Sequence, residues 1–416
     1  MIKKLISYYK KSRFLKDNII LFIGSIVSGV LGFIFHFYMG RILGPANYGI
    51  LGVILSIIYI FSIGLNTLQI GITKFTSDFN AKKEYSKVSY LINRSVKKLT
   101  IYGIMLLIIF ILITPLLSKF LNITVTPLLI ISPSIIFLML LPINRGSLQG
   151  LQRFKGLSLN LVIEGTVKLF SGILLVLLGF GVYGAIISIV LSYAISFFAG
   201  FYPLKDIIKI NKKKFDTKKV YKFSLPILIA LISLTLMYSI DLILVKHFFN
   251  AVEAGYYTAA SSLGKVLFFA TLSISQVMFP KVSELYNKNE KHKHLLIKSL
   301  LINLIIIIPA IIIYYLFPRL IVNILFGPKF LEIIPYIGPF AVIMGLFSLI
   351  YAITLYKLSI NKKRFLYILI LFNILQIILI IIFHSSLIQV INVLIFYMLS
   401  LFITMFLLTI LNSKNG

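Results

Sequence analysis

Long apolar segments recur along almost the whole chain, and they constrain the fold more than any other feature. Twelve segments of mainly apolar residues can be marked between Asn18 and Leu411. A helix needs about 20 such residues to cross the hydrocarbon core of a bilayer. Apolar residues make up 59% of the chain and charged residues 12%, whereas a soluble domain is about half apolar and a quarter charged. The sequence therefore predicts an all-α polytopic membrane protein with twelve transmembrane helices.

The predicted spans form two groups of six, separated by the longest polar interval inside the apolar body of the chain. We predict a basic lead (1–16), an N-terminal six-helix lobe (17–202), a basic tether (203–222) and a C-terminal six-helix lobe (223–416). The spans cover residues 18–39, 48–72, 95–117, 126–148, 157–180, 182–202, 223–245, 256–279, 295–317, 333–356, 365–383 and 387–411. The apolar run after the lead is too long for a signal peptide and lacks a cleavage site, so it is interpreted as a retained first span.

The basic residues support this arrangement. Of the 41 Lys and Arg residues, thirty-three fall in alternate segments that include both termini, five in the intervening loops and three deep inside spans. Lys97, Lys98 and Lys298, which stand within the first four residues of spans three and nine, are counted with the adjoining loops. Cytoplasmic loops carry an excess of Lys and Arg, so both termini are predicted to be cytoplasmic and the protein to lie in the cell membrane. The net charge of +30 is then explained by cationic cytoplasmic loops that lie against the anionic inner leaflet. No basic block lies in a foldable soluble domain, so nucleic acid is not an expected partner.

A weak internal repeat relates the two halves. An offset of 206 residues places Gly49 on Gly255 and Ser77 on Ser283, and it superimposes the basic loops 2–3 and 8–9. Because six spans is an even number, the halves have the same orientation and would be related by an axis along the membrane normal. Two such bundles would be pseudo-symmetric and would leave a central cleft between them.

Three motifs occur in order along this twelve-span frame. They are Gly40-Arg41-Ile42-Leu43-Gly44-Pro45-Ala46-Asn47-Tyr48-Gly49, Leu148-Gln149-Gly150-Leu151-Gln152-Arg153-Phe154-Lys155-Gly156, and Asp241 followed by Glu253-Ala254-Gly255-Tyr256-Tyr257. With these motifs the chain resembles the polysaccharide-biosynthesis flippases of the O-antigen (Wzx) type, in the multidrug/oligosaccharidyl-lipid/polysaccharide exporter superfamily. The resemblance covers nearly the whole chain.

The resemblance implies a fold, an activity and partners. It implies a V-shaped pair of six-helix lobes with a polar, often cationic, central cavity. It implies that a polyprenyl-linked oligosaccharide is moved from the cytoplasmic to the outer leaflet for glycan assembly, with glycosyltransferases or a polymerase of the same pathway as partners. No enzymatic activity and no cofactor are expected. Coupling to an H+ or Na+ gradient, to the membrane potential or to trapping of the product stays open.

Charged residues inside predicted spans are candidate site residues, because a charge at bilayer depth is costly. Lys168 lies about 16 Å into span five and Lys265 about 14 Å into span eight, both near mid-membrane. Arg145 is close to the inner end of span four. These three cations are predicted to bind the lipid diphosphate by charge-assisted hydrogen bonds. The alternatives are an ion pair between Lys168 and Glu164, a partner such as Asp241 for Lys265, and snorkelling of Arg145 to the interface.

Three further residues are candidates for coupling or gating. Asp241 near the end of span seven and Glu164 in span five are in-span acids, and His36 in span one could relay protons. The alternatives are a salt bridge or helix-end role for Asp241 and a satisfied bundle position for His36.

Two other functions are compatible with this class of sequence. A drug or cation antiporter of the same superfamily would favour several in-span acids, whereas the in-span cations here outnumber the acids. A polyprenyl-dependent membrane glycosyltransferase or polymerase would present a sizeable outer catalytic loop, whereas the predicted outer loops are short. Cys is absent, which excludes disulfides, thiolate metal sites and Cys nucleophiles. No metal site is predicted.

Overall fold

The structure is a computed structural model, and it describes residues 13–215, 218–288, 290–360, 362 and 364–411. Residues 1–12 of the predicted lead and residues 216–217 of the tether lie outside the described residues. Helices account for nearly all of the described chain, and the described residues include no β-strand. The α-helices are α1 (Arg13–Ala81), α2 (Tyr85–Leu121), α3 (Val125–Ile131), α4 (Ser134–Gly150), α5 (Phe154–Leu175), α6 (Gly181–Ala199), α7 (Lys205–Ile208), α8 (Lys218–Met237), α9 (Ile240–Phe248), α10 (Ala251–Asn287), α11 (Lys293–Leu316), α12 (Pro318–Leu325), α13 (Ile334–Ser359), α14 (Phe365–Ile382) and α15 (Leu387–Leu411). The all-α prediction is confirmed.

Ten helical segments of the described chain are long and apolar enough to cross a membrane. Two of them are much longer than one crossing requires: Ile20–Ala81 has 62 residues and Phe154–Ile208 has 55. The first bends at Gly44, where φ is 71°, and the second at Gly179 and Gly181, where φ is 91° and 53°. Glycine adopts these left-handed angles without a steric penalty. Gly44 lies in the predicted loop after span one, and Gly179 and Gly181 flank the predicted end of span five. The count of twelve crossings stays a prediction.

Many large apolar side chains on these helices face outward. On α2, Leu112 is 73% exposed and Leu116 is 75% exposed. A helix surface of this kind is unfavourable in water, because contiguous apolar patches are rare on soluble monomers. Lipid is therefore the solvent for these faces, and the chain is a multi-pass membrane protein.

Contacts divide the chain into two compact units. Unit 1 consists of residues 1–36 and 61–228, and unit 2 consists of residues 37–60 and 229–416. The last three residues of predicted span one, the following loop and the first half of span two therefore pack with the C-terminal half. The division into two six-helix lobes at the tether stays a prediction.

In unit 1, the second motif holds several elements together. The Gln149 side-chain oxygen accepts hydrogen bonds from Gln69 and Thr73 at 3.3 and 3.2 Å. Arg153 forms an ion pair with Asp206 on α7, with Nη1 donating to Oδ1 at 2.6 Å. The Ser89 hydroxyl contacts the carbonyl oxygens of residues 208 and 210 at 3.2 and 3.0 Å. The Ser89 bonds fix the start of the tether on the first turns of α2.

In unit 2, residues 37–60 of α1 form a hairpin that packs on α10. A Cβ atom added at Gly49 would lie 2.8 Å from both Ala251 O and Gly255 N. The two helices therefore cross with backbone against backbone. The Tyr48 hydroxyl is 3.2 Å from Ser262 Oγ on the same side of the crossing. Asn250 caps the start of α10 by accepting from the backbone N–H of Glu253 at 2.9 Å, which satisfies orphan donors of the first turn.

Candidate functional site

Arg145 on α4 and Glu164 on α5 form an ion pair in unit 1. The Arg145 Nε also donates to Asn160 Oδ1 at 2.8 Å, and Asn160 donates to the backbone oxygen of Ser196 at 2.6 Å. The network joins α4, α5 and α6 by charge-assisted and neutral hydrogen bonds. Glu164 and Asn160 therefore neutralise and orient Arg145.

Lys168 lies one turn beyond Glu164 on α5, in unit 1, and its side chain is half-buried. Its ammonium lies 5.5 Å from the centre of the Phe35 ring. Among the described residues, no carboxylate lies within 4 Å of this ammonium. The Lys168–Glu164 ion pair left open by the sequence is therefore not formed, because the helix orientation directs Glu164 to Arg145 instead.

Lys265 on α10 lies among aromatic rings in unit 2. Its ammonium is 5.4 Å from the centre of the Tyr238 ring and 5.7 Å from that of Tyr59. The negative faces of aromatic rings attract a cation at such distances. Asp241 is close enough to attract Lys265 electrostatically, yet the two do not form an ion pair within 4 Å in the described chain.

Asp241 occupies a break between two helices. A turn at Tyr238 and Ser239 separates α8 from α9, and Asp241 lies in the first turn of α9 with 2% of its surface exposed. Its Oδ2 accepts a hydrogen bond from the Tyr257 hydroxyl at 2.7 Å. Its Oδ1 is buried and has no hydrogen-bond partner among the described residues. The hydrogen-bond partner of Asp241 is therefore a tyrosine of α10.

Other polar groups from α14 and α15 lie in this part of unit 2. Gln376 donates to the backbone oxygen of Met237 at 3.1 Å, and Tyr397 is close enough to Asp241 to interact electrostatically. Within the described chain, four buried oxygens here lack partners, namely those of Ser239, Asn373, Gln376 and Tyr397. Sequence reasoning missed these residues. Their signal was the presence of amides and a tyrosine within otherwise apolar spans.

The structure therefore sorts the predicted site residues by unit. Arg145, Glu164 and Lys168 lie in unit 1, where His36 contacts the Phe35 ring at a centroid distance of 6.2 Å. Lys265 and Asp241 lie in unit 2. No group of three or more His, Cys, Asp or Glu side chains with metal-binding geometry occurs among the described residues.

A family model described as "Polysaccharide biosynthesis protein" matches residues 38–335. The chain belongs to this family. The chain is 25% identical over 293 residues to an uncharacterized membrane protein of Methanocaldococcus jannaschii, and the match covers 65% of the chain and 68% of the relative.

Two groups of solved structures share the fold. The inward-facing conformation of a multidrug resistance MATE family transporter of the MOP superfamily matches with a TM-score of 0.82 at 13% identity, covering 95% of this chain and 98% of that one. The lipid II flippase MurJ in an inward closed conformation matches with a TM-score of 0.75 at 17% identity, covering 94% and 87%. The chain shares the fold of these solved structures, and the family model confirms the resemblance to polysaccharide-biosynthesis proteins seen in the sequence.

Proposed function

We propose that this protein flips a polyprenyl-linked oligosaccharide from the cytoplasmic to the outer leaflet by alternating access, for glycan assembly at the cell surface. The observation that carries the proposal is the pair of in-span ammonium groups, Lys168 in unit 1 and Lys265 in unit 2. Neither forms an ion pair with a described carboxylate. An ammonium in this position is costly unless an anion or water compensates it.

A lipid diphosphate has the chemistry that would compensate an ammonium group of either unit. Its oxygens accept charge-assisted hydrogen bonds from ammonium groups, and its charge prevents it from crossing hydrocarbon alone. The prenyl tail would stay in lipid while the sugars stay in water. Arg145 would add positive potential close to Lys168, with its geometry fixed by Glu164. Glycosyltransferases or a polymerase of the same pathway would supply and consume the substrate.

The same charges argue against transport of cationic drugs. The likeness to a multidrug transporter at 13% identity concerns the fold alone. A cationic substrate would be repelled by Lys168 and Lys265, whereas an anionic headgroup would be attracted.

The substitution Lys168→Gln or Lys265→Gln tests the proposal. Each variant should reach the membrane and slow flipping at least tenfold, because it removes one charge–phosphate interaction of about 1.5–3 kcal/mol. The Arg variants should keep part of the activity, since the charge is retained in a different geometry.

The exposed residue Lys119 on α2 provides a matched control, and Lys119→Gln should leave flipping unchanged. Flipping is measured by the accessibility of lipid-linked oligosaccharide in proteoliposomes. Full activity in the double Lys→Gln variant would refute the cationic site.

Asp241 is proposed as the coupling residue, because its buried carboxylate has one oxygen free of hydrogen bonds among the described residues. Protonation would remove the buried charge, and a bound sodium ion would be coordinated by that oxygen; either event would respond to an ion gradient. Asp241→Asn should therefore remove the dependence of flipping on pH or sodium. If that variant flips substrate with the wild-type dependence on both, coupling through Asp241 is excluded.

A further inference from the structure

Aromatic rings cluster around Lys265, and most of them are tyrosines. Tyr59 and Tyr238 place their rings on the ammonium, and their own centroids are 6.2 Å apart at an interplanar angle of 61°. Tyr351 on α13 is close enough to Tyr238 for the two hydroxyls to interact electrostatically. We call the set of Lys265, Tyr59, Tyr238 and Tyr351 the tyrosine recess. All of its members belong to unit 2.

Two phenylalanines support the tyrosine recess from behind. Phe347 contacts the Tyr238 ring at 5.4 Å and the Tyr351 ring at 6.4 Å. Phe268 contacts Tyr351 at 5.4 Å. These phenylalanines are buried, with 0% and 6% of their surfaces exposed, while all three tyrosines keep intermediate exposure. The tyrosine rings are therefore held in place and remain partly accessible.

The hydroxyl groups distinguish this cluster from ordinary packing. A tyrosine buried in a membrane span usually finds a hydrogen-bond partner for its O–H. The Tyr351 hydroxyl has none among the described residues. Phenylalanine would fill the same space without leaving a polar group unsatisfied. The recess therefore offers a cation, aromatic faces and at least one hydroxyl with unused hydrogen-bonding capacity.

We propose that the tyrosine recess binds the sugar that is attached directly to the lipid diphosphate. This inference rests on the proposed function and deepens it. A pyranose ring has an apolar C–H face that packs on an aromatic ring, and hydroxyls at its edge that exchange hydrogen bonds with phenols. Lys265 contacts a diphosphate oxygen, and the neighbouring rings then meet the first sugar because it follows the phosphate immediately. Ligand sites commonly combine aromatic walls with a few polar groups that fix orientation.

The inference is tested with two defined probes bound to the full chain in lipid nanodiscs. One probe is polyprenyl diphosphate, and the other is polyprenyl diphosphate carrying a single N-acetylglucosamine. Dissociation constants are measured by microscale thermophoresis for the wild type, Tyr351→Leu, Tyr351→Phe, Tyr238→Leu and Lys265→Gln. Tyr367→Leu is the matched control, because Tyr367 is 76% exposed on α14. Thermal unfolding of each variant verifies that it is folded.

The wild type should bind the sugar-bearing probe more tightly than the bare diphosphate. Tyr351→Leu should weaken the sugar-bearing probe about tenfold and leave the bare probe unchanged, because the rings over the Lys265 ammonium are those of Tyr59 and Tyr238. Tyr238→Leu should weaken both probes, and the sugar-bearing probe more, because this ring also contacts the ammonium. Tyr351→Phe should show a smaller loss, because only the hydroxyl is removed. Lys265→Gln should weaken both probes alike. The control should equal the wild type.

Three results would overturn the inference. Equal weakening of both probes by the Tyr→Leu variants would show that the rings only position Lys265. Equal affinity of the wild type for both probes would show that no sugar is recognised there, while leaving the proposed function intact. Failure of the wild type to bind either probe would remove the proposed function and this inference together. If a Leu variant does not fold, Tyr351→Phe still decides, because it keeps the ring and removes only the hydroxyl.

Discussion

Arg145 and Glu164 form an ion pair between two spanning helices, and we expect this pair to stabilise the fold. Their side chains are 15% and 19% exposed. Removing one partner of a buried pair costs roughly 3–5 kcal/mol, and partial exposure reduces that cost. Glu164→Gln should therefore lower the melting temperature and the membrane yield, because the Arg145 charge is left without a carboxylate.

A second substitution separates the loss of the Arg145–Glu164 ion pair from other effects of Glu164→Gln. The double variant Arg145→Gln with Glu164→Gln should recover most of the lost stability, since no uncompensated charge remains. Glu84 pairs with Lys87 at 2.7 Å near the surface, and Glu84→Gln is the control because exposed pairs contribute about 0–1 kcal/mol. Melting temperatures in detergent decide the outcome. The expectation fails if Glu164→Gln is as stable as Glu84→Gln.

The sequence identified the charged residues at membrane depth but not their partners. Residues spaced i,i+4 on a helix are neighbours, so Glu164 and Lys168 were a reasonable pair. The structure instead pairs Glu164 with Arg145, which is nineteen positions away. Partner choice depends on the rotation of α4 against α5, and an apolar helix carries little pattern that fixes this rotation. For the same reason the neighbours of Asp241, such as Tyr257 and Gln376, could not be predicted.

The crossing between the α1 hairpin and α10 depends on two glycines. Each would place an added Cβ against the backbone of the other helix: Gly49 against Ala251 and Gly255, and Gly255 against Pro45. Backbone atoms cannot give way as a flexible side chain can, so overpacking here should cost about 1–3 kcal/mol. Gly49→Ala and Gly255→Ala should each lower the melting temperature and the yield.

Gly29 on α1 provides the control for these glycine variants. An added Cβ at Gly29 meets no atom within 4 Å, and alanine favours a helix over glycine by about 1 kcal/mol. Gly29→Ala should therefore leave the melting temperature unchanged or raise it. If Gly29→Ala and Gly255→Ala shift the melting temperature equally, close approach does not stabilise the crossing.

The same crossing shows what the internal repeat in the sequence could and could not predict. The offset of 206 residues superimposes Gly49 and Gly255, and these two glycines contact each other in unit 2. The offset therefore identified a pair that is now seen in contact. It did not show that residues 37–60 pack with the C-terminal half, because hydropathy marks spans and carries no information on which spans pack together.

The orientation of the whole chain in the membrane remains a prediction, and the absence of Cys makes it directly testable. Asn122 follows α2 in a left-handed conformation with φ of 50°, and it is exposed. Lys213 is exposed in the tether, where its backbone N–H donates to Ser86 O at 3.2 Å. These residues lie close to opposite ends of the 37-residue helix α2. At 1.5 Å per residue that helix is longer than a bilayer core of about 30 Å.

Single-cysteine variants at the two positions should therefore react from opposite sides. An impermeant thiol reagent applied outside intact cells should label Asn122→Cys and spare Lys213→Cys, because basic loops remain cytoplasmic. Permeabilised cells should label both, which shows that each thiol is reactive. The reverse pattern in intact cells would invert the topology. It would also place the basic tether outside, where the proposed direction of flipping would have to be reversed.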